Sequence, residues 1–170
     1  MSTLSLSLHP DCPWNCTLDD PDDFILYDVR TVVKMQTNYT FIRNAGDQVI
    51  ATIRWRDVLP DMIMLTEGSF VSVNSWLTRS LVPFNFNIKF KDDSGRGYTW
   101  RGNAPGLSLR LFADEDPTTP IAQYYKSYRD WQTNPPRRVP SRFEIKPRAQ
   151  EIFDLVVISF LCLEKGRRAK

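Results

Sequence analysis

Histidine is almost absent from this chain. The 170 residues contain one, His9, close to the N-terminus. A Ser-His-Asp or Cys-His arrangement inside the body of the chain is therefore excluded. Cysteine is nearly as scarce, with Cys12, Cys16 and Cys162 alone. An odd count of three gives no disulfide framework. Cys162 sits in an apolar run and reads as a small core residue. Cys12 and Cys16 with His9 make three loosely spaced ligand candidates, interrupted by Pro10 and Pro13, so no metal site is expected. Glycine is sparse too. Gly95-Arg96-Gly97 follows a strand-like segment but opens no helix, so it cradles no phosphate, and no cofactor is expected.

Long apolar runs are also missing. The densest, Ile152 to Leu163, is about a dozen residues and contains Asp154, whereas a membrane span needs about 20. No transmembrane segment is expected. Met1 to Pro10 alternates Ser and Leu without a basic region or an apolar core, unlike a secretory signal. The expected location is intracellular, cytoplasmic or peripheral to a membrane. Net charge is only +2, which gives no global signal for nucleic acid. Tyr98, Trp100 and Arg101 could stack on a base, but no such basic–aromatic platform repeats, so no nucleic-acid partner is expected.

What charge there is lies unevenly. Residues 1–23 carry five Asp and no Lys or Arg. With Pro10, Pro13 and Pro21 among them, they read as a flexible acidic lead. Residues 137–170 carry nine Lys or Arg against four Asp or Glu. Either these are solvated ends, or the basic excess meets an acidic partner.

The stretch Pro147 to Gly166 organises the chain. Pro147 suits a first helical position. Glu151 faces the positive end of the helix dipole, and Lys165, Arg167 and Arg168 the negative end. Gly166 suits the left-handed position that closes a helix. Between Ile152 and Leu163 only Asp154, Ser159 and Cys162 could form a polar stripe, and a helix apolar all round is buried. Leu155, Val156, Ile158, Phe160 and Leu161 are its expected core. Asp154, if enclosed, needs water or an Arg partner such as Arg54 or Arg101.

Before that helix come short strand patterns. Val49, Ala51, Ile53 and Trp55 alternate with Gln48, Ile50, Thr52 and Arg54. Phe86 to Phe90 alternates and runs into the turn Asp92 to Gly97, then Tyr98 to Arg101. Residues 74–81 read as one helical turn. About ten such strands, many as hairpins, predict a mainly β fold. The economical way to enclose the helix is a closed antiparallel β-barrel around it, which also removes sheet edges. The expected organisation is the lead 1–23 and a single barrel domain 24–168.

Val49 to Trp55, Gly97 to Arg101, Ile121 to Tyr124 and Glu151 to Phe160 resemble a fungal family known only as a domain of unknown function. That family is similar in turn to the tubby C-terminal, LURP-one and phospholipid-scramblase group. The resemblance covers roughly residues 24–168. It implies a closed antiparallel barrel threaded by a C-terminal hydrophobic helix. In the tubby-like members it further implies phosphoinositide binding by surface Lys and Arg. The scramblases' cysteine-rich lipidation stretch is missing here.

Two functions stand open at this point. One is a non-enzymatic module for anionic phospholipid, using Arg137, Arg138, Arg142, Lys146, Arg148, Arg167 and Arg168, with Lys170. The other is a structural or protein-interaction barrel with no lipid or catalytic role. Trp55, Trp76, Trp100 and Trp131 could line a ligand box, but strand aromatics are more often core.

Overall fold

The computed structural model describes residues 2–66 and 68–168; Glu67, and Lys170 counted in the basic tail, lie outside the described residues. Among the described residues thirteen strands form one antiparallel sheet. In chain order they begin β1 (Leu4–His9), β2 (Cys16–Asp19), β3 (Ile25–Lys34), β4 (Thr37–Asn44), β5 (Val49–Trp55) and β6 (Met62–Leu65). After β7 (Val71–Ser72) comes a single helical turn, α1 (Val73–Trp76), and then β8 (Thr78–Arg79). β9 (Ile88–Lys91), β10 (Gly97–Arg101), β11 (Arg110–Ala113) and β12 (Ala122–Tyr125) follow. β13 (Tyr128–Asp130) and β14 (Arg137–Val139) make a separate two-stranded ribbon before β15 (Arg142–Ile145). The chain ends in α2 (Pro147–Gln150) and α3 (Phe153–Arg168).

The acidic lead is not a flexible extension. β1 and β2 lie in the middle of the sheet, whose order runs β7-β6-β5-β4-β3-β2-β1-β15-β12-β11-β10-β9-β8. The first half of β1 pairs with β15, Leu4 opposite Ile145, and its second half pairs with β2, Leu8 opposite Leu18. Alternation is the cause: Leu6 and Leu8 point inward and are buried, as are Cys16 and Leu18. Four of the five Asp residues lie in the connections and Asp19 closes β2; Asp20 Oδ1 accepts from the backbone N–H groups of Asp22 and Phe24.

The expected mainly β fold is present, but no closed barrel is found among the described residues. The hydrogen-bonded ladder is open, with β7 and β8 at its edges. Those edges are consecutive in the chain and flank α1, whose turn stands where a closing strand pair would be. Ser72 caps that turn by accepting from the Asn74 N–H.

α3 fills the inside of the curved sheet. Nine consecutive residues, Val156 to Glu164, are buried, so every face of the helix is covered. Strands from both halves of the sheet reach it. Tyr27 of β3 packs on Phe153, Lys165 sits over Trp55 of β5, and Phe160 packs on Trp100, Tyr124 and Phe143 of β10, β12 and β15. The Phe143–Phe160 ring centroids are 4.3 Å apart. Three expectations about this segment change. It is two helices, with a turn at Glu151-Ile152. Gly166 does not close the helix, which continues to Arg168. Leu155 is only partly buried, because it sits in the first turn where the sheet ends.

Candidate functional site

Antiparallel connectivity sorts the loops to the two ends of α3. Tyr27, Tyr98 and Ile145 mark the end where the helix begins; Trp55, Tyr125 and His9 mark the end where it stops. At 16 residues the helix separates the two by about 24 Å.

The starting end is polar, and several of its charged side chains pair with one another. Tyr27 Oη donates to Asp154 Oδ1 at 2.6 Å, so the exposed Asp154 meets a phenol and not Arg54 or Arg101. Burial, and then that bond, push the Tyr27 phenol well above its usual range. Arg148 bridges Glu115, at 2.8 Å, and Glu151, at 3.3 Å, and donates to Tyr98 Oη. Lys146 is exposed nearby. A depression of about 440 Å³ here is lined by Asp92, Asp93, Glu151 and Asp154.

The finishing end holds a larger cavity, about 520 Å³, within the size range of small-molecule sites. Its walls come from Trp55, the 59–61 loop, α1, the 103–106 loop and the last turns of α3. Trp55, Val73, Leu77, Ile88, Cys162 and Leu163 make it partly apolar. Arg79, Lys126, Arg167 and Arg168 make it basic, against Asp61 and Glu164. The floor is an ion network. The fully buried Glu164 receives Arg168 Nε at 3.0 Å and faces Arg167 Nη1 at 3.6 Å, too long for a hydrogen bond. Arg168 also reaches Asp11 Oδ1 at 2.8 Å and Tyr124 Oη at 2.9 Å. Arg167 donates to the Leu107 carbonyl. Lys165 lies 3.7 Å from the Trp55 ring centroid, and burial lowers its pKa. Arg79 and Lys126 are exposed, and among the described residues neither has an ion-pair partner.

The basic residues singled out from the sequence therefore do not form one patch. Arg137 and Arg138, on β14, stand at the finishing end with Arg167 and Arg168; Arg138 reaches Ser127 Oγ at 3.0 Å, which donates to Asp11. Arg142 opens β15 at the same end, stacked 4.0 Å over Tyr125 and paired with Glu144 at 3.1 Å. Lys146 and Arg148 are at the other end, because β15 carries the chain across before the helix returns it. The sequence reading missed Arg79 and Lys126. A signal for Arg79 existed: residues 68–91 contain no Asp or Glu but three basic residues, Arg79, Lys89 and Lys91.

The Cys162 thiol is pushed up to about 12 by burial and then by Asp61, so it stays protonated and unreactive near neutrality. Asp61 accepts from the Arg56 backbone N–H. Among the described residues no three His, Cys, Asp or Glu side chains gather as a metal site. No described helix is long and apolar enough to cross a membrane. Of the tryptophans, Trp100 is fully buried core, Trp55 lines the cavity and Trp131 is exposed on the ribbon.

An antiparallel β sheet wrapped on a C-terminal helix, with a basic-rimmed cavity at one end, defines the class of protein. The chain belongs to the family of unknown function DUF6593, whose model matches residues 11–169. Its fold is similar to the X-ray structure of the Arabidopsis thaliana protein AT5G01750, at 11% identity and a TM-score of 0.54, over 97% of this chain and 91% of that one. No curated protein matches the sequence.

Proposed function

We propose that the protein is a non-enzymatic module that binds anionic phospholipid at a membrane surface, through the end of the fold where α3 stops. The observation that carries this is the convergence there of Arg79, Lys126, Arg167 and Arg168 on one cavity, with Arg137 and Arg138 on the adjoining ribbon. Each Lys or Arg close to an anionic surface contributes about 1 kcal/mol. Charges within a Debye length, about 8 Å at physiological salt, act together. Lys146 and Arg148 drop out of the site, being about a helix length away. We further infer kinship with the tubby C-terminal and LURP-one group. The sheet around a buried C-terminal helix supports it, and it accords with a peripheral, intracellular role.

Sedimentation with vesicles of phosphatidylcholine alone, or with added phosphatidylserine or phosphoinositide, tests the reading. Wild type pellets with anionic vesicles at low salt and binds them more weakly as salt rises. The double reversal Arg79→Glu/Lys126→Glu, at two exposed positions, weakens pelleting. A protein that stays in the supernatant at low salt overturns lipid binding and makes a protein partner the better reading.

A further inference from the structure

The connection between β8 and β9, Ser80 to Asn87, exposes apolar side chains to an unusual degree. Leu81 is 100% exposed, Phe84 93%, Val82 63% and Phe86 51%. The connection springs from Arg79 and Ile88, which are register partners and both line the cavity. It is built and not frayed. Ser80 N–H donates to the Asn87 carbonyl at 3.3 Å, and Asn85 N–H to the Val82 carbonyl at 3.1 Å. Ser80 Oγ accepts from Val82 N–H and Asn85 Oδ1 from Asn87 N–H. Val82-Pro83-Phe84-Asn85 thus closes a turn with Pro second and a positive φ, +61°, third. That third position normally takes Gly or Asn. A bulky residue there is strained, and such strain persists at sites that use it. Here the strain holds an aromatic ring out in solvent.

We propose that this turn is a membrane anchor that inserts Leu81, Val82, Phe84 and Phe86 into the acyl boundary of the same anionic surface that the cavity rim faces. The proposal rests on the reading of that end as membrane-facing. Charge complementarity selects an anionic surface, since no Asp or Glu occurs in residues 68–91 and Arg79 stands at the base of the turn, and the exposed apolar tips beside that charge call for an apolar layer beneath it, the layering of a lipid surface. Neighbouring connections at this end carry matching tips. Val58 is 95% exposed, and Leu59 of the same loop lines the cavity. Trp131, with Arg129 at 5.3 Å from its ring, caps the ribbon. Apolar tips among basic side chains are the composition that settles in the headgroup–acyl boundary.

The test uses the full chain with vesicles of phosphatidylcholine, with and without phosphatidylserine. Leu81→Ser/Phe84→Ser removes two side chains the fold does not bury, so its melting temperature should match wild type. At roughly 0.5 M salt, where surface charge is screened, this variant should bind anionic vesicles about tenfold or more weakly than wild type. Arg79→Glu/Lys126→Glu should instead lose its binding mainly at low salt. The emission of a Phe84→Trp protein should shift to the blue and be quenched by lipids brominated on the acyl chain, beyond the wild-type change. If wild type binds anionic vesicles but Leu81→Ser/Phe84→Ser binds equally at every salt, and the Phe84→Trp emission is unquenched, the anchor is overturned and the basic surface stands. If wild type binds no vesicle at low salt, both fall. If wild type self-associates in solution and the double serine variant does not, without vesicle binding, the turn is a self-interface and the anchor is wrong.

Discussion

The Trp100 indole N–H donates to Ser159 Oγ at 2.9 Å in the middle of the core, and Ser159 passes a bond on to the Val156 carbonyl at 3.1 Å. Both residues are fully buried. The small hydroxyl lets the helix approach β10 and satisfies the only polar atom of the indole. Ser159→Ala keeps the volume close but leaves that N–H without a partner. The expected cost is about 1–3 kcal/mol, read by urea denaturation. Phe160→Ala, which opens a cavity against Tyr124 and Phe143, should cost about 3–5 kcal/mol. Equal stability of Ser159→Ala and wild type would mean water takes the hydroxyl's place.

Removing the lead tests the central strands. Deleting residues 2–19 takes β1 and β2 from the middle of the sheet, splits it in two and leaves β3 and β15 each with a single neighbour, β4 and β12. No cooperative unfolding transition should remain. Leu6→Ala alone should cost about 2–5 kcal/mol, since Leu6 is fully buried opposite Phe143. A truncated chain that melts like wild type would return these residues to the role of a flexible lead.

The buried helix was legible because Ile152 to Leu163 lacks a polar stripe, and burial leaves no other way to hold such a segment. The N-terminal strand was equally legible in its pattern: Leu4, Leu6 and Leu8 alternate with Ser, the period of a half-buried strand. Acidic charge and proline outweighed it, although the prolines and every Asp but Asp19 belong to the connections. The site was less legible, because charge along the chain does not say at which end of a sheet each residue falls. Arg148 and Arg168 are 20 positions apart yet stand at opposite ends of α3, while Arg79 and Arg167 share one cavity. Only the antiparallel register settles that.

Thiol ionisation gives a pH dependence with a defined sign. Cys162 is raised by burial from 9.0 to about 12 in the folded chain. Between those values the folded chain keeps a proton that the unfolded chain has lost. The associated stability is fully present below pH 9.0 and is lost as pH rises towards 12. The slope approaches about 1.4 kcal/mol per pH unit for this thiol. Cys162→Ala should therefore lose less stability than wild type between pH 9 and about 10.5, in parallel urea series. Equal slopes would show that the thiol ionises freely in the folded state.

Two glycines in the cavity's 102–107 loop should separate strain from collision. Gly102 and Gly106 both have positive φ, +83° and +78°. A Cβ at Gly106 meets open space, whereas one at Gly102 would run into the Ser108 carbonyl. Gly106→Ala should cost about 1–2 kcal/mol from the left-handed conformation alone. Gly102→Ala should cost clearly more, because backbone must also move. Thermal melts of the pair decide it, and equal losses would mean the Ser108 backbone yields freely.

Glu164 is the hinge of the cavity's electrostatics. Its buried carboxylate is the shared partner of Arg167 and Arg168, and Arg167 has no other carboxylate contact among the described residues. Glu164→Gln keeps the shape but leaves two guanidinium groups facing each other. Breaking one side of a buried network costs about 3–5 kcal/mol, because the remaining charge stays desolvated. Removing one of those charges as well, in Glu164→Gln/Arg167→Gln, should recover part of that loss, so the two substitutions should be non-additive in denaturation. On lipid the same single variant should move the other way. With the carboxylate gone the cavity is more positive, and low-salt binding to phosphatidylserine vesicles should tighten while stability falls. Weaker binding by a folded Glu164→Gln protein would mean that this cavity does not face the lipid.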